Sequence, residues 1–260
     1  MKIATYQTDL THDQRRRLRR FLPAAQQRGC PRTALHEVFN AILYLVKSGG
    51  HWRLLPKNFP PWQIVYHHWR QWTRNGLLAR LSQRLRALVR RFLGQQGQPT
   101  AACLDRQSVR ASTHGGAVGD DAARKTKGRQ RFLLADTVGL LLGVTLEPAN
   151  GPERQGARSL LATGLADYPP RRRLWVDGGF NGPDFAAWGQ TQHPKLVGEG
   201  VKRLAEKPGF QVLPRRWVVE RTFGWRRHSL RLVRDHEPTT ASAAGWIYLA
   251  MIRLMLRRPA

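Results

Sequence analysis

The chain has 260 residues, and its 44 Lys and Arg against 17 Asp and Glu give a formal net charge of +27. The basic residues are spread along the sequence and most are arginine, whose planar guanidinium can bind a phosphate through two hydrogen bonds. This charge predicts a polyanionic partner, with nucleic acid as the first candidate. No run of 18 apolar residues and no signal-peptide pattern is present, so a membrane is not an expected partner.

The two cysteines, Cys30 and Cys103, are too few and too far apart for a disulfide framework or a zinc knuckle. The sequence is therefore expected to belong to a reduced protein of the cytoplasm, associated with the nucleoid. Its length is enough to bury a substantial core.

Helices are predicted throughout the first third of the chain. They cover residues 11–21, 34–47, 62–75 and 77–93. Thr11 is a suitable N-cap for the first helix, and the pair Gly49 and Gly50 ends the second. Pro61 suits the start of the third helix, because proline is well tolerated at the first helical position.

The second and third helices, with the turn between them, resemble a helix-turn-helix. Basic residues alternate with aromatic ones along the third helix, and His67, Arg70 and Arg74 are candidate DNA contacts. Two interpretations of these basic positions stay open, DNA contact or a solvated helix face. The tryptophans and Tyr66 are expected in the core of a helical bundle.

A polar, glycine-rich stretch at residues 94–99 (GQQGQP) predicts a domain boundary. The expected division is a helical, helix-turn-helix-like DNA-binding domain at residues 1–98 and a second domain at residues 99–260.

The second domain has the element order of an α/β fold. Strands are predicted at residues 100–104, 132–136, 140–146, 173–176 and 195–197, and helices at residues 152–165, 181–190 and 213–237. Residues 137–139 are expected to form a hairpin turn. Residues 112–127 predict a mobile loop that leads into a cluster of candidate DNA-binding residues, Lys125, Lys127 and Arg129.

Three acids could share one site. Asp105 and Asp177 each end a predicted strand, and Glu220 lies in the predicted long helix among arginines. Strand ends in an open α/β sheet border a crevice, and clustered carboxylates bind hard cations such as Mg²⁺. Each acid also has a simpler interpretation, because a strand-end aspartate often shapes a turn, as Asp136 is expected to do. Glu220 could equally pair with a neighbouring arginine at the surface.

The blocks around these acids resemble the DDE transposases of bacterial insertion sequences, in particular the group named after insertion sequence five. The blocks are LDRQSV at Asp105, LWVDGGF at Asp177 and RRWVVERTFGW at Glu220. Residues 51–78 are similar to the N-terminal segment of that group, and the similarity extends from about Leu10 to Arg258. Arg106 departs from the pattern, since the family usually has serine there.

The resemblance implies a ribonuclease-H-like catalytic core, a mixed sheet flanked by helices. It implies that Asp105, Asp177 and Glu220 hold two Mg²⁺ ions, for which Mn²⁺ can substitute. Arg216 and Arg227 are similar to the basic members of the signature around the third acid. Arg221, in the same block, is a further candidate DNA contact.

The function implied is that of a transposase. It would bind the terminal inverted repeats of its own element, cut there and join the freed end to target DNA, as a homodimer on DNA. Two alternatives remain open: a DNA-binding repressor or degenerate transposase without catalysis, and another ribonuclease-H-like nuclease.

Overall fold

The computed structural model describes residues 6–22, 33–112, 116–164, 172–176, 180, 183–192, 196–200, 222, 224 and 228–258. Within these residues the helices are α1 (His12–Arg19), α2 (Leu35–Ser48), α3 (Trp62–Arg74), α4 (Leu77–Phe92), α5 (Glu153–Gly164), α6 (Pro183–Gln192) and α7 (Thr240–Arg257). The strands are β1 (Ala101–Arg110), β2 (Gly119–Asp121), β3 (Thr126–Asp136), β4 (Leu141–Pro148), β5 (Arg172–Val176) and β6 (Leu196–Gly200). None of these helices is long and apolar enough to cross a membrane.

The predicted helix boundaries in the first third are confirmed by the capping interactions. Thr11 accepts a hydrogen bond from the Gln14 amide, and the Gln14 side chain accepts one from the Thr11 amide, which makes a reciprocal capping box. Gly49 ends α2 with φ of 72°, a left-handed conformation that glycine adopts without steric cost. Pro61 directly precedes α3.

The helical core is built around tryptophans from both ends of the chain. Trp69 on α3 stacks on Trp246 of α7 with 4.0 Å between ring centroids, and its indole nitrogen donates to Ser242. Gly245 allows this approach, because a Cβ there would lie 2.7 Å from the Cγ2 of Thr73. Trp69 and Trp72 are buried, so the prediction that the aromatic residues of α3 form a core is confirmed for them. Trp62 and Tyr66 are only partly buried. Trp246, which was not part of the prediction, is also buried.

The connection between α2 and α3 differs from the predicted tight turn. It spans residues 49–61 and contains a 3₁₀ turn at Trp52–Leu54. A helix-turn-helix joins its helices by three or four residues, so this pair of helices departs from that motif. The longer connection brings Trp52 against both Tyr66 and Trp246.

The strands form one mixed sheet in the order β2-β3-β1-β5-β6, with β4 also paired to β3. β1 and β4 are antiparallel to β3, while β5 is parallel to β1 and β6 is parallel to β5. The hairpin between β3 and β4 occurs where the sequence predicts it. Asp136 shapes it as expected, because one carboxylate oxygen accepts hydrogen bonds from the amides of Val138 and Leu140.

The sheet is covered by helices on both faces. Successive side chains of a strand point to opposite faces, and Phe132 and Leu134 of β3 pack with α5, whereas Leu133 between them joins the helical core. This is the mixed sheet flanked by helices that the sequence predicts for a ribonuclease-H-like core.

Two predictions about β1 and the loop after it were wrong. The strand does not end at Asp105 but continues to Arg110, because Arg106 and Ser108 find a partner in Asp121 on β2. The region predicted as a mobile loop includes β2, which pairs with the start of β3.

The prediction of one helix over residues 213–237 was wrong for its final part. Residues 228–237 contain only a 3₁₀ turn at Leu230–Leu232, and Asp235 bridges to Ala111 at the end of β1. Side chains of this stretch form two buried ion pairs, Arg231 with Glu237 of the same stretch and Asp235 with Arg129 of β3. Of residues 213–227, the structure describes only 222 and 224.

The division at residues 98 and 99 remains a prediction. The helices of the first segment share their core with α7 and with Leu133, Leu140, Leu141 and Leu146 of the second. Across the division, Arg90 donates to Asp136 at 2.7 Å, with both side chains buried.

Candidate active site and nucleic-acid interface

Asp105 lies in the middle of β1, the strand at the centre of the sheet. It is half-buried, its backbone lies opposite Leu133 of β3, and one carboxylate oxygen accepts a hydrogen bond of 2.7 Å from the Arg106 amide. By the alternation of side chains along a strand, Asp105 shares a sheet face with Cys103. This face is opposite the one covered by α5.

The neighbouring parallel strand ends beside this residue. Leu104, directly before Asp105, lies opposite Val176, the last residue of β5. The two other predicted metal ligands, Asp177 and Glu220, lie outside the described residues. The distances among the three acids therefore remain predictions. The residues that the structure does describe contain no group of three His, Cys, Asp or Glu that could hold a metal ion.

The pKa of Cys103, which shares a sheet face with Asp105, reflects the electrostatic environment of that face. The pKa of the Cys103 thiol is raised from 9.0 to about 12, chiefly by burial and to a smaller extent by the charges of Asp136 and Asp105. The thiol is thus neutral at pH 7 and not activated for nucleophilic attack. The negative charges of these two aspartates and the oxygen ligands of the Asp105 carboxylate fit a divalent metal ion on this face.

Arg106 points to the opposite face from Asp105, as expected from the sequence. Its guanidinium pairs with Asp121 of β2 at 3.3 Å and with Glu153 at the start of α5. Ser108 donates to the same Asp121 carboxylate at 2.6 Å. These contacts join β1, β2 and α5 without engaging the Asp105 carboxylate.

The predicted DNA-binding residues of α3, of the turn between β2 and β3 and of the start of β3 are exposed. These are His67, Arg70, Arg74, Lys125 and Lys127. Lys125 adopts φ of 46°, a left-handed conformation that closes the turn. Their contact with DNA remains a prediction. Arg216, Arg221 and Arg227 lie in the part of the chain that the structure does not describe.

The prediction that Arg129 contacts DNA was wrong. Its side chain is 1% exposed, and it donates to the Asp235 carboxylate at 3.1 Å and to the Glu237 carbonyl at 2.9 Å. A side chain enclosed by these partners cannot reach a phosphate. Arg131 is also buried and donates to the Leu232 carbonyl, and burial lowers its pKa to about 10.

A groove between the helical region and the last quarter of the chain was not predicted. We name it the aromatic groove. It has a volume of about 900 Å³, and its walls are the Trp52–Leu54 turn, α3 and residues 231–242. Its polar lining includes Arg53, Arg231 and His236, which no sequence pattern singles out. Arg231 and His236 come from a segment more than 150 residues away from α3, so only the fold brings them together.

The chain matches two known protein families, one over its N-terminal region and one over most of the remainder. Residues 10–82 match a family described as a transposase of the IS4/5 family, and residues 96–256 match the family described as transposase DDE domain. The uncharacterized protein y4sN of Sinorhizobium fredii (strain NBRC 101917 / NGR234) is 31% identical over 121 residues, which are 46% of this chain and 86% of that protein. The IS4/5 match covers the N-terminal region alone. Since the second family covers more than half of the chain, this protein belongs to the DDE transposases.

Proposed function

We propose that this transposase binds the terminal inverted repeats of its own insertion sequence, cuts the DNA there and transfers the freed strand to target DNA. The observation that carries the proposal is the pairing of Leu104 with Val176 in adjacent parallel strands. One predicted acid, Asp105, follows Leu104, and another, Asp177, follows Val176 in the sequence. The pairing of β1 with β5 that the structure describes thus ends one residue before Asp105 on one strand and one residue before Asp177 in the sequence of the other.

Asp105, Asp177 and Glu220 are the residues that would hold two Mg²⁺ ions, or Mn²⁺ in their place. Carboxylate oxygens are the ligands that such hard cations prefer. When bound, the ions supply activation of the attacking oxygen and stabilisation of the leaving oxygen in phosphodiester displacement. The negative potential at Cys103 supports a cation on the face of Asp105.

The segment that follows Glu220 is held by one buried and one exposed hydrogen bond, which supports a positioned third acid. The Arg131 guanidinium donates to the Leu232 carbonyl at 2.7 Å, and Lys47 donates to the His228 carbonyl at 2.8 Å. These bonds tie the segment both to the sheet and to α2.

The exposed basic residues are proposed to bind DNA phosphates, which contributes affinity without base specificity. On the described surface these are His67, Arg70, Arg74, Lys125 and Lys127. Arg216, Arg221 and Arg227 are proposed to do the same beside the third acid. Acting on two transposon ends together would require a homodimer on DNA, and the proposed location is the cytoplasm, at the nucleoid.

The test is DNA cutting by an Asp105→Asn variant. A labelled duplex that carries the candidate repeat is incubated with each protein and Mg²⁺, and products are separated by denaturing electrophoresis. We expect wild type to cut at the repeat end, while Asp105→Asn binds the duplex with unchanged affinity and cuts only at background level. Asp13→Asn, at an exposed site on α1, is the matched control and should cut normally.

Two results would contradict the proposal. Cutting by Asp105→Asn at the wild-type rate would exclude Asp105 from the chemistry. Selective binding without cutting by any of the proteins, in Mg²⁺ or Mn²⁺, would favour the repressor or degenerate transposase instead. Circular dichroism of Asp105→Asn establishes that a loss of cutting is not a loss of fold.

A further inference from the structure

The aromatic groove offers exposed ring faces to a ligand. Trp62 and Tyr66 are partly exposed on α3, about one helical turn apart, and both line the groove. Arg53 lies 5.7 Å from the Trp62 ring centroid, and Arg70 lies 6.0 Å from that of Tyr66. Both rings therefore have a planar cationic group within cation–π range, and the flexible arginines can move aside for a nucleobase.

The groove is also positively charged without compensation. Arg53, Arg70 and Arg74 are exposed in its lining, and none of them is ion-paired within the part of the chain that the structure describes. Glu237 is the one carboxylate among the lining residues that the structure describes, and it is occupied, because its two oxygens accept from Arg231 at 2.7 Å and from Ser242 at 2.5 Å. The charge of the three arginines is thus available to an anionic ligand.

The floor of the groove is rigid before any ligand arrives. Arg231 is buried with its guanidinium 5.9 Å from the Trp52 ring and 5.0 Å from the Trp246 ring, and it donates to the Gly50 carbonyl at 2.6 Å. A preorganised floor lowers the entropy cost of binding. At the rim, Leu54 is 72% exposed and offers an apolar contact.

Exposed ring faces next to arginines favour a nucleic acid strand whose bases are unpaired. In a duplex the base faces are covered by their neighbours, so only unpaired bases can stack on protein aromatics. The groove is also connected to the strand that carries Asp105. Ser112 lines the groove and lies seven residues beyond Asp105, roughly 23 Å at 3.3 Å per residue.

We propose that the aromatic groove binds an unpaired segment of a DNA strand, with bases stacked on Trp62 and Tyr66 and phosphates held by Arg53, Arg70 and Arg74. This rests on the proposed function, because cutting at a transposon end creates a free strand end near Asp105, and the base pairs beside such an end can open. The groove then keeps one strand of the cut end attached to the enzyme.

The experiment measures fluorescence anisotropy of a labelled oligothymidylate of about 15 nucleotides, which is within the site size of single-strand binding proteins. A duplex of equal length is the comparison, and EDTA is present so that no cutting occurs. For the full chain, Trp62→Ala should weaken oligothymidylate binding about tenfold, the loss expected for one stacked base. Duplex affinity should stay within about twofold.

Matched variants separate stacking from damage to the fold. Trp62→Phe keeps a ring face and should retain most of the oligothymidylate affinity. Trp188→Ala removes a half-buried tryptophan of α6, outside the groove, and should leave the affinity unchanged. Circular dichroism is recorded for each variant.

The proposal is overturned by any of three results: wild type fails to bind oligothymidylate, Trp62→Ala weakens duplex binding equally, or Trp62→Phe fails to restore affinity. Equal binding of polyglutamate would assign the groove to an acidic peptide and would also overturn it. The Asp105→Asn variant should bind oligothymidylate like wild type. If only the cutting proposal is wrong, the protein should still bind oligothymidylate. If only the groove proposal is wrong, the protein should still cut at the repeat end.

Discussion

The arginines of β3 and those of α3 have similar sequence surroundings but opposite environments. Arg129 and Arg131 lie on β3 inside the protein, where they bind Asp235 and the backbone of residues 232–238. Arg70 and Arg74 lie on α3 at the surface, in the lining of the aromatic groove. Arg129, Arg70 and Arg74 were all predicted from the sequence to contact DNA.

The difference is set by a partner acid that is distant in sequence. Asp235 is 106 residues from Arg129, yet the bridge between Ala111 and Asp235 brings it to the sheet. No acid reaches Arg70 or Arg74 within the described structure. In a chain of charge +27, therefore, the few acids decide which arginines are structural and which remain available to DNA.

The largest expected effect is that of Arg129→Met. The substitution leaves Asp235 buried without its cation, which typically costs about 3–5 kcal/mol. Urea unfolding at pH 7 should show this loss in the free energy of unfolding. The double variant Arg129→Met, Asp235→Asn should recover part of it, because it removes the unpaired charge. A loss below about 1 kcal/mol would mean that the pair does not stabilise the fold, and the comparison would fail.

The pH dependence of the free energy of unfolding tests how unfavourable a charged Cys103 thiolate is inside the sheet. Its pKa is about 12 in the folded protein against 9.0 for a free thiol, so above pH 9 the unfolded chain releases a proton that the folded chain retains. Stability from this group is thus lost as pH rises through 9. Between pH 8 and pH 10 the wild type should lose about 1 kcal/mol more free energy of unfolding than Cys103→Ala.

The measurement for Cys103 is urea unfolding of both proteins at pH 8, 9 and 10. Parallel pH curves for the wild type and Cys103→Ala would show that this side chain is solvated like an ordinary thiol. The negative potential assigned to the face of Asp105 would then lose its support.

The smallest stability effects are expected for Arg70→Gln and Arg74→Gln. Each should change the free energy of unfolding by less than about 0.5 kcal/mol, as for other exposed positions. Each should also reduce the salt dependence of oligothymidylate binding, by about 0.7 in the slope of log affinity against log salt. Arg19→Gln on α1, exposed and outside the groove, removes the same charge and should leave the slope unchanged.

Local signals in the sequence predicted local structure well. Thr11 caps α1, Gly49 ends α2, and Asp136 shapes the hairpin, because each acts on backbone groups within a few residues. The family resemblance and the class of fold were also predicted correctly, and both rest on blocks of sequence that the family matches cover.

The errors all involve partners distant in the chain. β1 extends past Asp105 because Asp121 satisfies Arg106 and Ser108. Residues 228–237 are not helical because Arg231 and Asp235 bind inward, to the Gly50 carbonyl and to Arg129. The spacing of apolar residues predicts which face of a segment is buried. It does not predict which charged side chain from another part of the chain will contact that segment. The aromatic groove went unpredicted for the same reason.

The packing of α7 among the N-terminal helices has a consequence for protein synthesis. Helices α1–α4 leave the ribosome first, but the tryptophan that completes their core, Trp246, is made about 150 residues after the end of α4. At about 5–20 residues per second, this interval lasts roughly 7–30 s. During that time the growing chain carries an unfinished helical core with exposed tryptophans. A chain that ends before α7 would lack the ring that stacks on Trp69 and should not form a stable helical core.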